Sequence, residues 1–134
     1  MFDIHIDKNI KVFHNPKHIS HIILNLLNNS RDAFDQNPNV INRLINIYTT
    51  VDNNTINLHI KDNAGGIPKK ILDKLFDPYV TSKEKGTGLG LWMSKKMAEK
   101  IEGTTLKVQV KNGCTLFSIS FPILARNQEI KINP

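Results

Sequence analysis

Between residues 17 and 36 the apolar positions Ile19, Ile22, Ile23, Leu26, Leu27, Ala33 and Phe34 recur at three- and four-residue steps. At 100° per residue they fill one arc of roughly 140°, the signature of an amphipathic helix. Asn25, Asn29, Asp32 and Gln36 gather on a second arc of about 60° beside it. Pro38 prevents the helix from running further. A solvated face is the plain explanation of that polar stripe. Such faces, however, usually carry Lys and Glu, which form helix more readily than Asn. Asparagines one turn apart at the border of the apolar face therefore point to a role of their own.

The period then changes from 3.6 to 2. Residues 44–51 and 55–61 alternate apolar and polar side chains on either side of Asp52-Asn53-Asn54, which predicts a β-hairpin with Ile56, Leu58 and Ile60 on one face. The second strand runs into Asp62-Asn63-Ala64-Gly65-Gly66-Ile67-Pro68, a stretch rich in turn residues. A short helix is expected over 69–76, followed by a segment without clear periodicity, residues 77–85. Gly86-Thr87-Gly88-Leu89-Gly90 comes next, then a helix from about 90 to 101 that closes at Gly103. A second hairpin is expected over 105–111 and 115–121, around Asn112-Gly113. This order predicts an α+β fold: a two-layer α/β sandwich, with helices on one face of a mixed, mostly antiparallel sheet. Residues 1–124 form the domain and 125–134 a polar, frayed tail.

Composition narrows the field. With 134 residues, 40% hydrophobic and 22% charged, the chain has one core and neither a disordered nor a fibrous composition. No apolar run approaches the ~20 residues of a membrane span. The opening Met1-Phe2-Asp3-Ile4-His5-Ile6-Asp7 carries charges where a signal peptide has its apolar core. A single cysteine, Cys114, excludes an internal disulfide and suits a reducing compartment, so a cytoplasmic location is expected, with any membrane anchor belonging to a larger parent protein. Four closely spaced zinc ligands are absent. The five histidines (His5, His14, His18, His21 and His59) fall in no motif.

The formal charge of +6 invites a phosphate or nucleic-acid reading, and its distribution decides between them. Residues 1–68 are balanced. Residues 69–100 hold Lys69, Lys70, Lys74, Lys83, Lys85, Lys95, Lys96 and Lys100 against only Asp73, Asp77, Glu84 and Glu99. The excess thus sits where the glycines crowd. Glycines before a helix let backbone N–H groups approach phosphate oxygens, and the helix N-terminus adds partial positive charge. A flexible hinge is the other reading of Gly86, Gly88 and Gly90. G-x-x-x-x-G-K-[ST] occurs nowhere, and the Rossmann fingerprint is broken by Leu91 at its sixth position. Lysines clustered beside such a loop argue against a nucleic-acid-binding module, which would bind DNA in a steeply salt-dependent way.

Four segments in order carry a resemblance. Asn25-Leu26-Leu27-Asn28-Asn29-Ser30-Arg31-Asp32-Ala33 looks like an N box, and Asp62-Asn63-Ala64-Gly65-Gly66-Ile67 like a G1 box. Leu75-Phe76-Asp77-Pro78-Tyr79-Val80-Thr81-Ser82-Lys83 looks like an F box, and Gly86-Thr87-Gly88-Leu89-Gly90-Leu91 like a G2 box. In these, from about residue 3 to Pro122, the chain resembles the ATP-binding catalytic domain of bacterial sensor histidine kinases. That domain has the Bergerat fold, shared with gyrase B, a class of heat-shock chaperones and the mismatch-repair ATPases. The resemblance implies about three helices on one face of the sheet and a mobile ATP lid over residues 68–90, with Phe76 and Tyr79 as its apolar anchors.

It also implies roles. Asn29 would be the Mg²⁺ ligand, a hard oxygen for a hard cation. Asn25 would face the phosphates or a magnesium-bound water, with Asp32 on the same side. Asp62 would accept a hydrogen bond from the adenine amino group, Gly66 would let backbone pass close to the base, with Ile67 beside it, and Thr115 would support Asp62. Ser82, Lys83, Gly86, Thr87, Gly88, Leu89, Gly90 and Leu91 would wrap the phosphates. Trp92 and Met93 are expected to pack beneath the lid helix.

The departures from the pattern are equally specific. Ala64 replaces the first glycine of D-x-G-x-G, and Cys114 stands where a glycine often precedes the threonine. The hydrolysing relatives place a glutamate, as general base, at the position of Asn25, which cannot take a proton. Slow intrinsic hydrolysis is therefore expected, with the γ-phosphate reserved for a histidine. The H-E/D-x-x-x-P pattern of that histidine is missing, and His14-Asn15-Pro16 is not it. The implied partners are ATP, the phosphoacceptor and dimerisation helices of a parent protein, and a response-regulator receiver domain; the isolated domain is expected to be monomeric and to bind no nucleic acid. Three other readings stay open: a Bergerat-fold ATPase, an anti-sigma-type serine kinase, or a pseudokinase that only binds nucleotide.

Overall fold

The structure, a computed structural model, describes residues 1–6, 16–80, 89–101 and 103–123. The elements are β1 (Phe2–His5), α1 (Pro16–Gln36), β2 (Ile45–Asp52), β3 (Thr55–Asp62), α2 (Lys69–Leu72), α3 (Gly90–Glu99), β4 (Thr105–Lys111) and β5 (Cys114–Pro122). The strands form one five-stranded sheet in the order β1-β2-β3-β5-β4. Among the described strands only the β1–β2 pair is parallel. The other three pairs are antiparallel, so the sheet is mixed and mostly antiparallel.

Each strand alternates as its sequence does. Ile56 and Ile60 of β3 and Phe117, Ile119 and Phe121 of β5 are buried on one face. The ladder aligns Ile56 with Phe121 and Ile60 with Phe117, which stacks the core in layers. From α1, Ile19, Ile22, Leu26 and Phe34 close over that face, and Ile23, Leu27 and Ala33 pack against them half-buried. The apolar arc read from the sequence is thus the buried arc. Ala98 is buried on α3, with Leu91, Met97 and Ile101 half-buried around the same core. Met93 points away and is exposed, since it falls outside the 91-94-98 stripe.

Two further features differ from the sequence expectation. Strand β1 pairs with β2 through Phe2↔Ile45 and Ile4↔Ile47, although its alternation covers too few residues to stand out from the sequence. Helix α2 ends at Leu72 rather than residue 76; Lys74 N–H to Ile71, Leu75 N–H to Leu72 and Asp77 N–H to Lys74 then form tighter three-residue turns. Pro78 disfavours helical geometry at Asp77 and closes the series. At the second hairpin Asn112 and Gly113 have φ of 52° and 75°, the left-handed pair that a type I′ turn requires.

Candidate functional site

The site is built where β3 ends. Asp62 is the last residue of β3 and lies opposite Thr115 of β5, at one end of their ladder. Both are buried, and Asp62 is only 3% exposed. The Ser30 hydroxyl on α1 donates to Asp62 Oδ2 at 2.7 Å, and the backbone N–H of Ala64 donates to Oδ1 at 3.1 Å. Burial pushes the Asp62 carboxyl above its ordinary value, and those two hydrogen bonds oppose the rise. Each carboxylate oxygen keeps a free lone pair, so the group can accept from an amino donor placed in this corner.

The G1 turn follows directly. Ala64 is buried and supplies the N–H to Asp62, while Gly65 and Gly66 take the left-handed conformations, with φ of 107° and 81°. A methyl group at position 64 is therefore accommodated, because the backbone freedom is needed one and two residues later. The Gly65 N–H donates to the Gly113 carbonyl at 2.9 Å, which pins this turn to the β4–β5 hairpin. A Cβ on Gly66 would lie 2.9 Å from Val110 Cγ1, so that approach is open to glycine alone. Ile67 is half-buried against the core.

Along α1, Asn25, Asn29 and Asp32 are all half-buried on one stripe. The Asn25 amide nitrogen donates to Ser94 Oγ at 3.0 Å and, more weakly, lies 3.5 Å from the Gly90 carbonyl. Among the described residues the Asn29 side chain forms no hydrogen bond. Asp32 Oδ1 lies 3.4 Å from Arg31 Nη2, a solvent-screened pair. Helix α3 begins at Gly90, preceded by Leu89, whose side chain makes no capping bond. Among the described residues, a Cβ on Gly90 would meet nothing within 4 Å. Leu91 turns inward to the core.

The structure therefore brings Asn25, Leu89, Gly90 and Leu91 together at the α1–α3 contact, and Asp62, Gly66, Ile67 and Thr115 together at the sheet end. Ser82, Lys83, Gly86, Thr87 and Gly88 lie outside the described residues, as does the tail 125–134. Of the two aromatic anchors, Phe76 packs on the core with Lys95 Nζ 4.8 Å above its ring. Tyr79 does not: it is 76% exposed and held at φ 65° by the turn after Pro78.

Two participants had no role in the sequence reading, Ser30 inside the N-box segment and Ser94 outside every motif. Ser30 and Ser94 are fully buried. On their helices both fall inside the apolar arc, and a hydroxyl in the middle of an apolar arc must find a buried partner. That was the available signal.

An N box, a G1 turn and a G2 helix start on this sheet define a class. The chain belongs to the family of histidine kinase-, DNA gyrase B- and HSP90-like ATPases, whose profile matches residues 14–125. It is similar to the two-component sensor PprA of Pseudomonas aeruginosa, with 33% identity over 111 residues, covering 80% of this chain and 12% of that protein. It is also similar to sporulation kinase A of Bacillus subtilis, with 32% identity over 104 residues, covering 78% of this chain and 16% of that protein. Among solved structures, a mycobacterial sensor histidine kinase, MprB, superposes with a TM-score of 0.75 at 22% identity, over 91% of this chain and 80% of that one. The catalytic domain of the histidine kinase ThkA gives 0.74 at 22%, over 90% and 78%. At such identities the likeness establishes the fold. The chain spans only 12% to 20% of the length of five curated relatives that it matches.

Proposed function

We propose that residues 1–124 form the ATP-binding catalytic domain of a two-component sensor kinase, which holds ATP·Mg²⁺ and donates the γ-phosphate to a histidine on phosphoacceptor helices of the parent protein. The observation that carries this reading is the buried Asp62, held by Ser30 and Ala64 opposite Thr115. A carboxylate kept in an apolar corner accepts from the adenine amino group and rejects a base that presents a carbonyl there. Gly66 lets the turn lie flat beside the base.

The phosphates belong at the N-terminus of α3, where Gly90 meets no described atom within 4 Å of a Cβ and the Leu89 side chain makes no capping bond. Lys83, Gly86, Thr87 and Gly88 complete that grip in this reading. Among the described residues no group of three or more His, Cys, Asp or Glu side chains could hold a metal by itself. The donor set suits an ion that arrives with the phosphates, with the Asn29 amide oxygen as a protein ligand and Asp32 nearby. When bound, Mg²⁺ neutralises charge on the transferring group. This chain's residues position it: the acceptor imidazole nitrogen bonds to the γ-phosphorus as the bridging oxygen departs with ADP. The receiver domain of a response regulator takes the phosphoryl group afterwards. Asn25 in place of a general-base glutamate favours transfer over hydrolysis.

Titration with a non-hydrolysable ATP analogue, with and without Mg²⁺, tests the assignment. Asp62→Ala is expected to weaken binding about 10- to 100-fold, the scale of a lost hydrogen bond to a charged group. Unchanged affinity would remove the adenine role of Asp62.

A further inference from the structure

We infer that Ser94 is a positioning residue for phosphate binding, which sets the orientation of the Asn25 amide and fixes the start of α3 against α1. This rests on the nucleotide reading given above. Ser94 is fully buried, yet its hydroxyl is saturated on both sides. It donates to the Gly90 carbonyl at 2.9 Å and accepts from the Asn25 amide nitrogen at 3.0 Å. Asn25 lies in the N box and Gly90 is the last glycine of the G2 box. One hydroxyl thus bridges the two motifs expected to meet the phosphates.

The consequence for Asn25 follows from amide geometry. An asparagine can present either its NH₂ or its oxygen to a ligand, and in isolation the two orientations differ little. Ser94 and the Gly90 carbonyl both offer acceptors, so the nitrogen end is drawn to α3 and the oxygen end is left for the opposite side. An oxygen is what a magnesium-bound water or a cationic donor needs; an NH₂ there would meet the wrong partner. Ser94 selects between them without touching the ligand. It does so from one turn into α3, where the carbonyl it engages belongs to Gly90, the first residue of the helix. A small shift of α3 relative to α1 would therefore move both halves of the phosphate site together.

The experiment compares Ser94→Ala and Ser94→Cys with wild type by calorimetric titration of a non-hydrolysable ATP analogue with Mg²⁺ and, separately, of adenosine. Alanine removes one buried hydroxyl and leaves the helix intact, and thermal unfolding checks that the variants remain folded. Ser94→Ala is expected to lose about fivefold to tenfold in affinity for the triphosphate, the scale of one neutral hydrogen bond, while adenosine binding stays within about twofold. Ser94→Cys, whose thiol is a weaker donor and acceptor, should fall between. In an Asn25→Ala background, Ser94→Ala should cost little more, because its partner is gone. Equal losses for triphosphate and adenosine, or no loss for either, would overturn the inference. A wild-type chain that bound neither compound would instead overturn the nucleotide reading on which it stands.

Discussion

At Asp62, the charge that the proposed adenine recognition calls for is one that folding disfavours. Its carboxyl is raised by burial, so the stability it lends is fully present below the ordinary value of 3.8 and is lost as pH rises through the raised value. Asp62→Asn should therefore leave the ligand-free domain at least as stable as wild type at neutral pH in chemical denaturation, while analogue binding falls. Ser30→Ala has the opposite effect. It strips one of the two hydrogen bonds that oppose the rise, leaves a buried carboxylate underpaired, and should destabilise the domain by about 1–3 kcal/mol. Asp62 itself was legible as a strand-end carboxylate before two glycines. Ser30 was not, because its meaning depends on β3 lying beneath α1, a contact between residues that are distant in the sequence.

Among the elements, the two hairpins and the two longer helices follow from periodicity, since each buries one face of a regular pattern. Strand β1 and the short α2 do not, because so few residues cannot establish a period and their limits are set by neighbours. The G1 turn shows how tightly elements are fitted together. Gly66→Ala would force a methyl group against Val110 and hold a side chain at φ 81°. A drop in melting temperature of several degrees is expected, together with weaker analogue binding, and differential scanning calorimetry would check it.

The sheet face away from the helices carries its own device. His59 stacks on Tyr48 with ring centroids 4.7 Å apart and is bonded to Thr50 Oγ1 and Ser118 Oγ, each at 2.7 Å. Burial lowers its imidazole below the ordinary value of 6.5, so the stability it contributes is present above that value and is lost as pH falls through the lowered one. Denaturation midpoints should decline from pH 7.5 to pH 5.5 in wild type and less so in His59→Gln. No motif pointed to His59, because its partners come from both neighbouring strands.

On the scale of the molecule, nothing in the described residues supplies an acceptor histidine with the expected flanking pattern. The chain alone should release phosphate from ATP only slowly in a steady-state assay, and acid-labile label should appear only when phosphoacceptor helices are added. No described helix is long and apolar enough to cross a membrane.

The pairing of Asp62 with Thr115 has a further consequence, for the way the chain tolerates change. The segment from the G1 turn to the last hairpin, with α2, α3 and β4 inside it, is closed at its neck by the β3–β5 ladder, and the neck is also where the proposed adenine reader sits. The entropy of closing such a loop grows only logarithmically, about 0.6 kcal/mol for each doubling of length. Residues can thus be inserted in the connections between those elements at small thermodynamic cost, while an insertion within the paired residues at Asp62 or Thr115 would slip the register and turn the carboxylate to the other face of the sheet.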